Sequence, residues 1–79
     1  ARRPIGHLDS AVMVNARLKP GVNLMHVIAM TRSLGERLSA EGEDPERYRW
    51  TDNGGSSVSV TLQAGRVSAW ELQRPAAQD

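Results

Sequence analysis

The 79-residue sequence contains no cysteine and no phenylalanine, and its aromatic side chains are limited to two Trp and one Tyr. Without thiols there is no disulfide, no thiolate zinc site and no cysteine nucleophile, so nothing covalent staples so small a core. Without Phe, the bulky interior groups must come from Tyr48, Trp50 or Trp70. No apolar run approaches the roughly 18 residues that span a bilayer, and residues 1–10 lack the apolar middle of a secretory signal. Charge of one sign is missing too: ten basic residues face nine acidic ones, a net of +1, which gives no self-repulsion to hold the chain open. The chain does not begin with Met, and Arg2-Arg3-Pro4 stands at its front, which suggests a piece cut from a longer precursor or a processed product.

What remains reads as one small folded domain with an ordered core over about residues 8–74 and ragged ends at 1–6 and 75–79. Val12, Val14, Ala16 and Leu18 alternate with Asn15 and Arg17, the two-residue period of a half-buried edge strand. Met13 blurs the pattern. A short helix capped by Asp9 or Ser10, with Leu8 before it, competes with that strand. Lys19-Pro20-Gly21 ends either element. Asn23 then caps an amphipathic helix whose stripe is Leu24, Val27, Ile28, Met30, Leu34 and Leu38; Arg32, Ser33, Glu36 and Arg37 line its wet side. The helix is expected to end between Leu34 and Ala40, near Gly35.

After the polar loop Glu41 to Glu46, three strands are predicted at 47–51, 57–63 and 66–73, separated by Asp52-Asn53-Gly54-Gly55 and Ala64-Gly65. Asn-Gly favours the positive φ angles of tight hairpin turns. Val58, Val60 and Leu62 point one way while Ser57, Ser59 and Thr61 point the other, so one side of the sheet is dry and one wet. In the last strand Val67 and Ala69 share a parity that Trp70 and Leu72 do not, which implies either a bulge or two covered faces. The expected fold is α+β, one main amphipathic helix on a three-stranded antiparallel meander, with residues 12–18 as an extra edge strand.

Few residue sets carry chemistry. His7, Asp9 and His26 are the only grouping with metal-binding donors, and a strand and a turn separate the two histidines. No Gly-x-Ser-x-Gly turn or Ser, His and acid set is present. Asn53-Gly54-Gly55-Ser56-Ser57 is Gly-rich, yet a strand follows it where a phosphate loop needs a helix. Glu41, Glu43, Asp44 and Glu46 lack the ligand order of a calcium loop. The expectation is therefore no enzyme, no metal and no cofactor, with an occupied pocket at His26 or Asp52 as the one arrangement that would revive catalysis.

The sharpest pattern is Arg47 and Arg49 on one side of a strand and Tyr48 and Trp50 on the other, with Arg66 and Arg74 adding positive charge. Arginine beside aromatics suits nucleic-acid stacking and phosphate contact, the alternative function. The balanced charge and three aromatics weigh against it. If Trp50 is inside, Trp70 becomes the exposed aromatic, and Arg47, Arg49 and Trp70 form the candidate contact set for another protein or for a second copy.

Gly21-Val22-Asn23, Val27, Leu34-Gly35, Trp50, the alternating Val58, Val60 and Leu62, and Ala64-Gly65-Arg66-Val67 together resemble the small outer-membrane lipoprotein accessory family of β-barrel assembly and its β-lactamase-inhibitor-like relatives. The likeness spans about Leu18 to Leu72. Asn23 stands where that family has a capping Thr, the lipidated Cys is missing, and Val27 to Gly35 is longer by about one helical turn. The resemblance implies helices layered on a three-stranded antiparallel sheet, a periplasmic or periplasm-facing outer-membrane location, no enzymatic activity and binding to another protein.

Overall fold

In the computed structural model, which describes residues 4–75, the chain forms an α+β fold. Helices α1 (Ala11–Arg17) and α2 (Leu24–Thr31) precede strands β1 (Glu36–Arg37), β2 (Glu46–Thr51), β3 (Ser57–Gln63) and β4 (Arg66–Gln73), which lie side by side in that order as one antiparallel sheet. The fold class agrees with the sequence reading. The layout differs, with two helices for one and four strands for three.

Residues 11–17 are helical, not an edge strand. Ser10 is extended and its Oγ accepts the Met13 N–H at 3.3 Å, while Asp52 Oδ2 accepts the Ala11 N–H at 2.9 Å. These two acceptors satisfy donors that an uncapped helix leaves orphaned. Ala11, Val14 and Leu18 then fall inside the core at helical spacing, while Val12, which supported the alternation, and Met13, which blurred it, are exposed. Helix α1 packs on β3 and β4.

Asn23 caps α2 as expected, its Oδ1 accepting the His26 N–H at 2.9 Å. The helix, however, stops at Thr31 and turns through Arg32 at φ 61°. Leu34 and Leu38, placed on the buried stripe by periodicity, are 57% and 38% exposed. What diverts the chain is the segment after the helix. Thr31 Oγ1 donates to the Ser33 carbonyl, Ser33 Oγ donates to the Pro4 carbonyl, and Trp50 Nε1 donates to the Ser33 carbonyl at 2.9 Å. Gly35 lies against the Trp50 indole so closely that a Cβ there would stand 2.7 Å from the ring. Glu36 and Arg37 then pair with Arg49 and Tyr48 as β1. Residues 32–35 are thus a turn between α2 and β1 and not the last part of a helix.

The same β2 edge takes in the front of the chain. Gly6 accepts the Thr51 N–H at 2.7 Å, Leu8 donates to the Thr51 carbonyl at 3.3 Å, and Gly6 donates to the Leu34 carbonyl. Pro4 to Gly6, expected to be ragged, are therefore tied into the sheet; Pro75 is described and exposed, and the rest of the expected ragged ends, 1–3 and 76–79, lies outside the described residues.

Strand β4 holds a bulge. Leu62 pairs with Val67 but Thr61 pairs with Ala69, so Ser68 is the extra residue. The bulge moves Val67, Trp70 and Leu72 onto one face, which removes the parity conflict. The β2–β3 loop is not the Asn-Gly tight turn: only Gly55 has positive φ, and Asp52 Oδ1 accepts the Gly54 and Ser56 N–H groups at 3.0 Å. The tight turn joins β3 to β4, where Ala64 (φ 53°) and Gly65 (φ 79°) both adopt the left-handed conformation. The core is Trp50, Val58, Val60 and Leu62, all at 0% exposure, closed over by Leu8, Ala11, Val14, Leu18 and Val27.

Candidate functional site

Because strand side chains alternate and the register is known, the sheet divides into cross-strand rows. On the helix side the rows are Arg37, Tyr48, Val60, Trp70; then Trp50, Val58, Leu72; then Glu46, Leu62, Val67. All three aromatic residues lie here. Tyr48 and Trp50 sit 6.3 Å apart at 40°, and the Arg37 guanidinium covers the Tyr48 ring at 5.8 Å.

Neither helix covers the other side. Its rows are Leu38, Arg47, Thr61, Ala69; then Glu36, Arg49, Ser59, Glu71; then His7, Thr51, Ser57, Gln73, the first members being set by the Leu38 N–H on the Arg47 carbonyl and by the His7 bridge to Thr51. The middle of this face is short hydroxyl side chains, and longer groups stand around it. Arg49 donates to Glu36 Oε1 from Nε at 3.0 Å and Nη2 at 2.9 Å. Both partners are well exposed, so the pair adds little stability, under about 1 kcal/mol. Arg47 is exposed, and Leu38 stands directly opposite it.

The three residues assembled from sequence do not form one patch. Arg47 and Arg49 share the open face. Trp70 is half-buried on the opposite side, packed against the core. Sequence reasoning missed Glu36 and Leu38 because both were assigned to the helix; the signal lay in Ser33-Leu34-Gly35, a break too early for a helix through residue 38. Arg66 is occupied, its Nη1 donating to the Gly21 carbonyl at 2.9 Å.

The other candidates are structural. Asp52 accepts three backbone N–H groups and so fastens α1 to the β2–β3 loop. Glu43 accepts the Ala40 N–H, Asp44 accepts the Ala64 N–H, and Glu46 accepts the Tyr48 hydroxyl at 2.8 Å. Burial first, then the bond to Glu46 and that carboxylate's charge, raises the Tyr48 pKa above its ordinary value, with Arg37 opposing. Among the described residues, no three His, Asp or Glu side chains gather where they could hold a metal. A groove of about 290 Å³ runs between the helices, its walls including Leu8, Met13, Met30, Arg17 and Arg32; neither His26 nor Asp52 lines it. No helix among the described residues is long and apolar enough to cross a membrane.

No protein-family model, curated protein or solved structure matches the chain.

Proposed function

We propose that the protein is a non-catalytic protein-interaction module that docks a partner protein on the open face of its sheet. Arg47 and Arg49 are the charged contacts, and Leu38 is the apolar one. The observation that carries this reading is the composition of the face. It offers backbone-stiffened Ser and Thr rows, an exposed Leu, and two arginines balanced by Glu36 and Glu71. Arginine is enriched at protein interfaces, and a mixed, neutral, hydrogen-bonding surface suits another folded protein. A nucleic-acid footprint needs net positive charge and stacking rings on one surface. Here the aromatic rows are on the far side and the face's acids offset Arg47 and Arg49. The likeness to the outer-membrane lipoprotein accessory family supports the same kind of role and adds a cell-envelope setting.

A photo-crosslinking residue placed at Thr61, compared with one at the exposed Ala16 of α1, tests the reading. Adducts with a partner protein are expected from Thr61 only, and Arg47→Glu with Arg49→Glu should abolish them while leaving the melting curve within a few degrees of the parent. Equal adducts from both positions, or adducts indifferent to the charge reversal, would refute it. Salt-sensitive oligonucleotide binding that the same reversal abolishes would favour nucleic acid instead.

A further inference from the structure

The outer edge of β4 is unequally protected. At its start, Gly21 donates to the Val67 carbonyl and Val67 donates to the Val22 carbonyl, each at 2.8 Å, so a short strap covers the edge before the Ser68 bulge. Beyond the bulge, no described residue bonds to it. The direction of the backbone groups there follows from the ladder. The backbone of Thr51 and Arg47 faces the β1 side, bonding to Gly6, Leu8 and Leu38. Alternation therefore turns Tyr48 and Trp50 towards β3, Ser57, Ser59 and Thr61 towards β4, and Glu71 and Gln73 back towards β3. Trp70 and Leu72 are left with N–H and C=O pointing outward. Arg74, which precedes Pro75 and is thereby held extended, continues the row. Native edges are usually blunted by Lys, Pro, a bulge or a covering segment. From Trp70 to Arg74 this one has no Lys, Pro or bulge and no covering segment among the described residues; its charges are Glu71 and Arg74.

We infer that this edge pairs with the same edge of a second copy, antiparallel about a two-fold axis at Leu72. The choice of partner and register comes from self-complementarity. Centring on Leu72 sets Trp70 opposite Arg74 of the second copy, Glu71 opposite its Gln73, and Leu72 against its Leu72. About six backbone hydrogen bonds form, from the outward groups of residues 70, 72 and 74 on each chain. The half-buried Trp70 ring meets a guanidinium and the two leucines bury each other. Centring on Glu71 sets two carboxylates directly opposite, which is destabilising, and forms fewer bonds. Centring on Trp70 drives each strand into the Gly21-Val22 strap of the other copy. An isologous contact of this kind closes at two copies. It puts both helix layers on one side of an eight-stranded sheet and joins the two open faces edge to edge. The inference does not depend on what binds those faces, although a doubled face extends the docking surface proposed above.

The chain has no cysteine, so single-cysteine variants report the register without interference. In sedimentation equilibrium, the unmodified protein should rise with concentration towards twice its 8.6 kDa mass. Under mild oxidation, Leu72→Cys should form a covalent dimer faster than Glu71→Cys or Gln73→Cys, because a directly opposed pair meets disulfide geometry. Leu72→Lys and Leu72→Glu should each sediment as monomers and recover the dimer when mixed. A wild-type mass that stays monomeric up to about 1 mM overturns the inference, as does faster cross-linking from position 71 or 73. Partner adducts at Thr61 bear only on the open face, so either proposal can fail alone.

Discussion

Gly35 is the position where one methyl group should be most costly. A Cβ there would lie 2.7 and 2.8 Å from Trp50 Cζ2 and Cη2 and 2.9 Å from Tyr48 Cβ, whereas carbon atoms pack best at about 3.5–4.0 Å. The indole cannot simply swing away. It is 0% exposed and its N–H is fastened to the Ser33 carbonyl. Two effects of Gly35→Ala oppose each other. Lower entropy of the unfolded chain favours alanine by about 0.4–1 kcal/mol, since Gly35 does not use the left-handed region. Overpacking costs about 1–3 kcal/mol. The net is a loss of about 1–2 kcal/mol, which for a domain of this size lowers the melting temperature by about 4–15 °C. Urea denaturation followed by circular dichroism measures it. Pairing the change with Trp50→Phe, which deletes the two clashing ring atoms, should give a double variant more stable than the sum of the single losses by at least about 1 kcal/mol. Additive losses, or a Gly35→Ala protein as stable as the parent, would refute the close-approach explanation of Gly35.

Asp52→Ala should cost about 2–3 kcal/mol, because it orphans the Ala11, Gly54 and Ser56 N–H groups together, and hydrogen exchange should show α1 opening first. Deleting Ser68 removes the extra residue and leaves Val67, Trp70 and Leu72 opposite Leu62, Val60 and Val58 on the helix side; a cooperative thermal transition should persist, and its loss would mean the register is wrong. The raised pKa of Tyr48 has a definite sign. The folded state keeps the phenol proton above pH 10, where the unfolded chain releases it, so stability is intact below about pH 10 and falls as pH climbs towards the higher folded value. Tyr48→Phe should flatten that alkaline decline in urea midpoints.

The meander was legible in the sequence because its signals are local. Val58, Val60 and Leu62 each take their face from the pleat alone, and the Gly-containing gaps mark where the strands must turn. The parity conflict at Ala69 and Trp70 also announced the bulge as one of two readings. The helices were harder. Val12, Val14, Ala16 and Leu18 fit a two-residue period as well as a helical one, and the deciding groups, Ser10 Oγ and the Asp52 carboxylate, come from before the helix and from a loop 41 residues away. Of the candidate site, Arg47 and Arg49 were correctly read as neighbours on one face of a strand. Their partners Glu36 and Leu38 stayed hidden, since a two-residue strand has no period to detect.

The amino-acid order alone determined which side of β3 faces inward, where hairpins turn, and that charge and cysteine content leave few chemistries open, because those properties depend on neighbours a few positions apart. The fold had to decide where α2 stops, that residues 36 and 37 join the sheet, and that Trp70 and the two arginines lie on opposite sides. Those outcomes turn on contacts between distant segments, above all the Trp50 indole resting on Gly35 and bonding Ser33. Helical periodicity through Leu38 had no means of registering that an aromatic ring from β2 would claim the space.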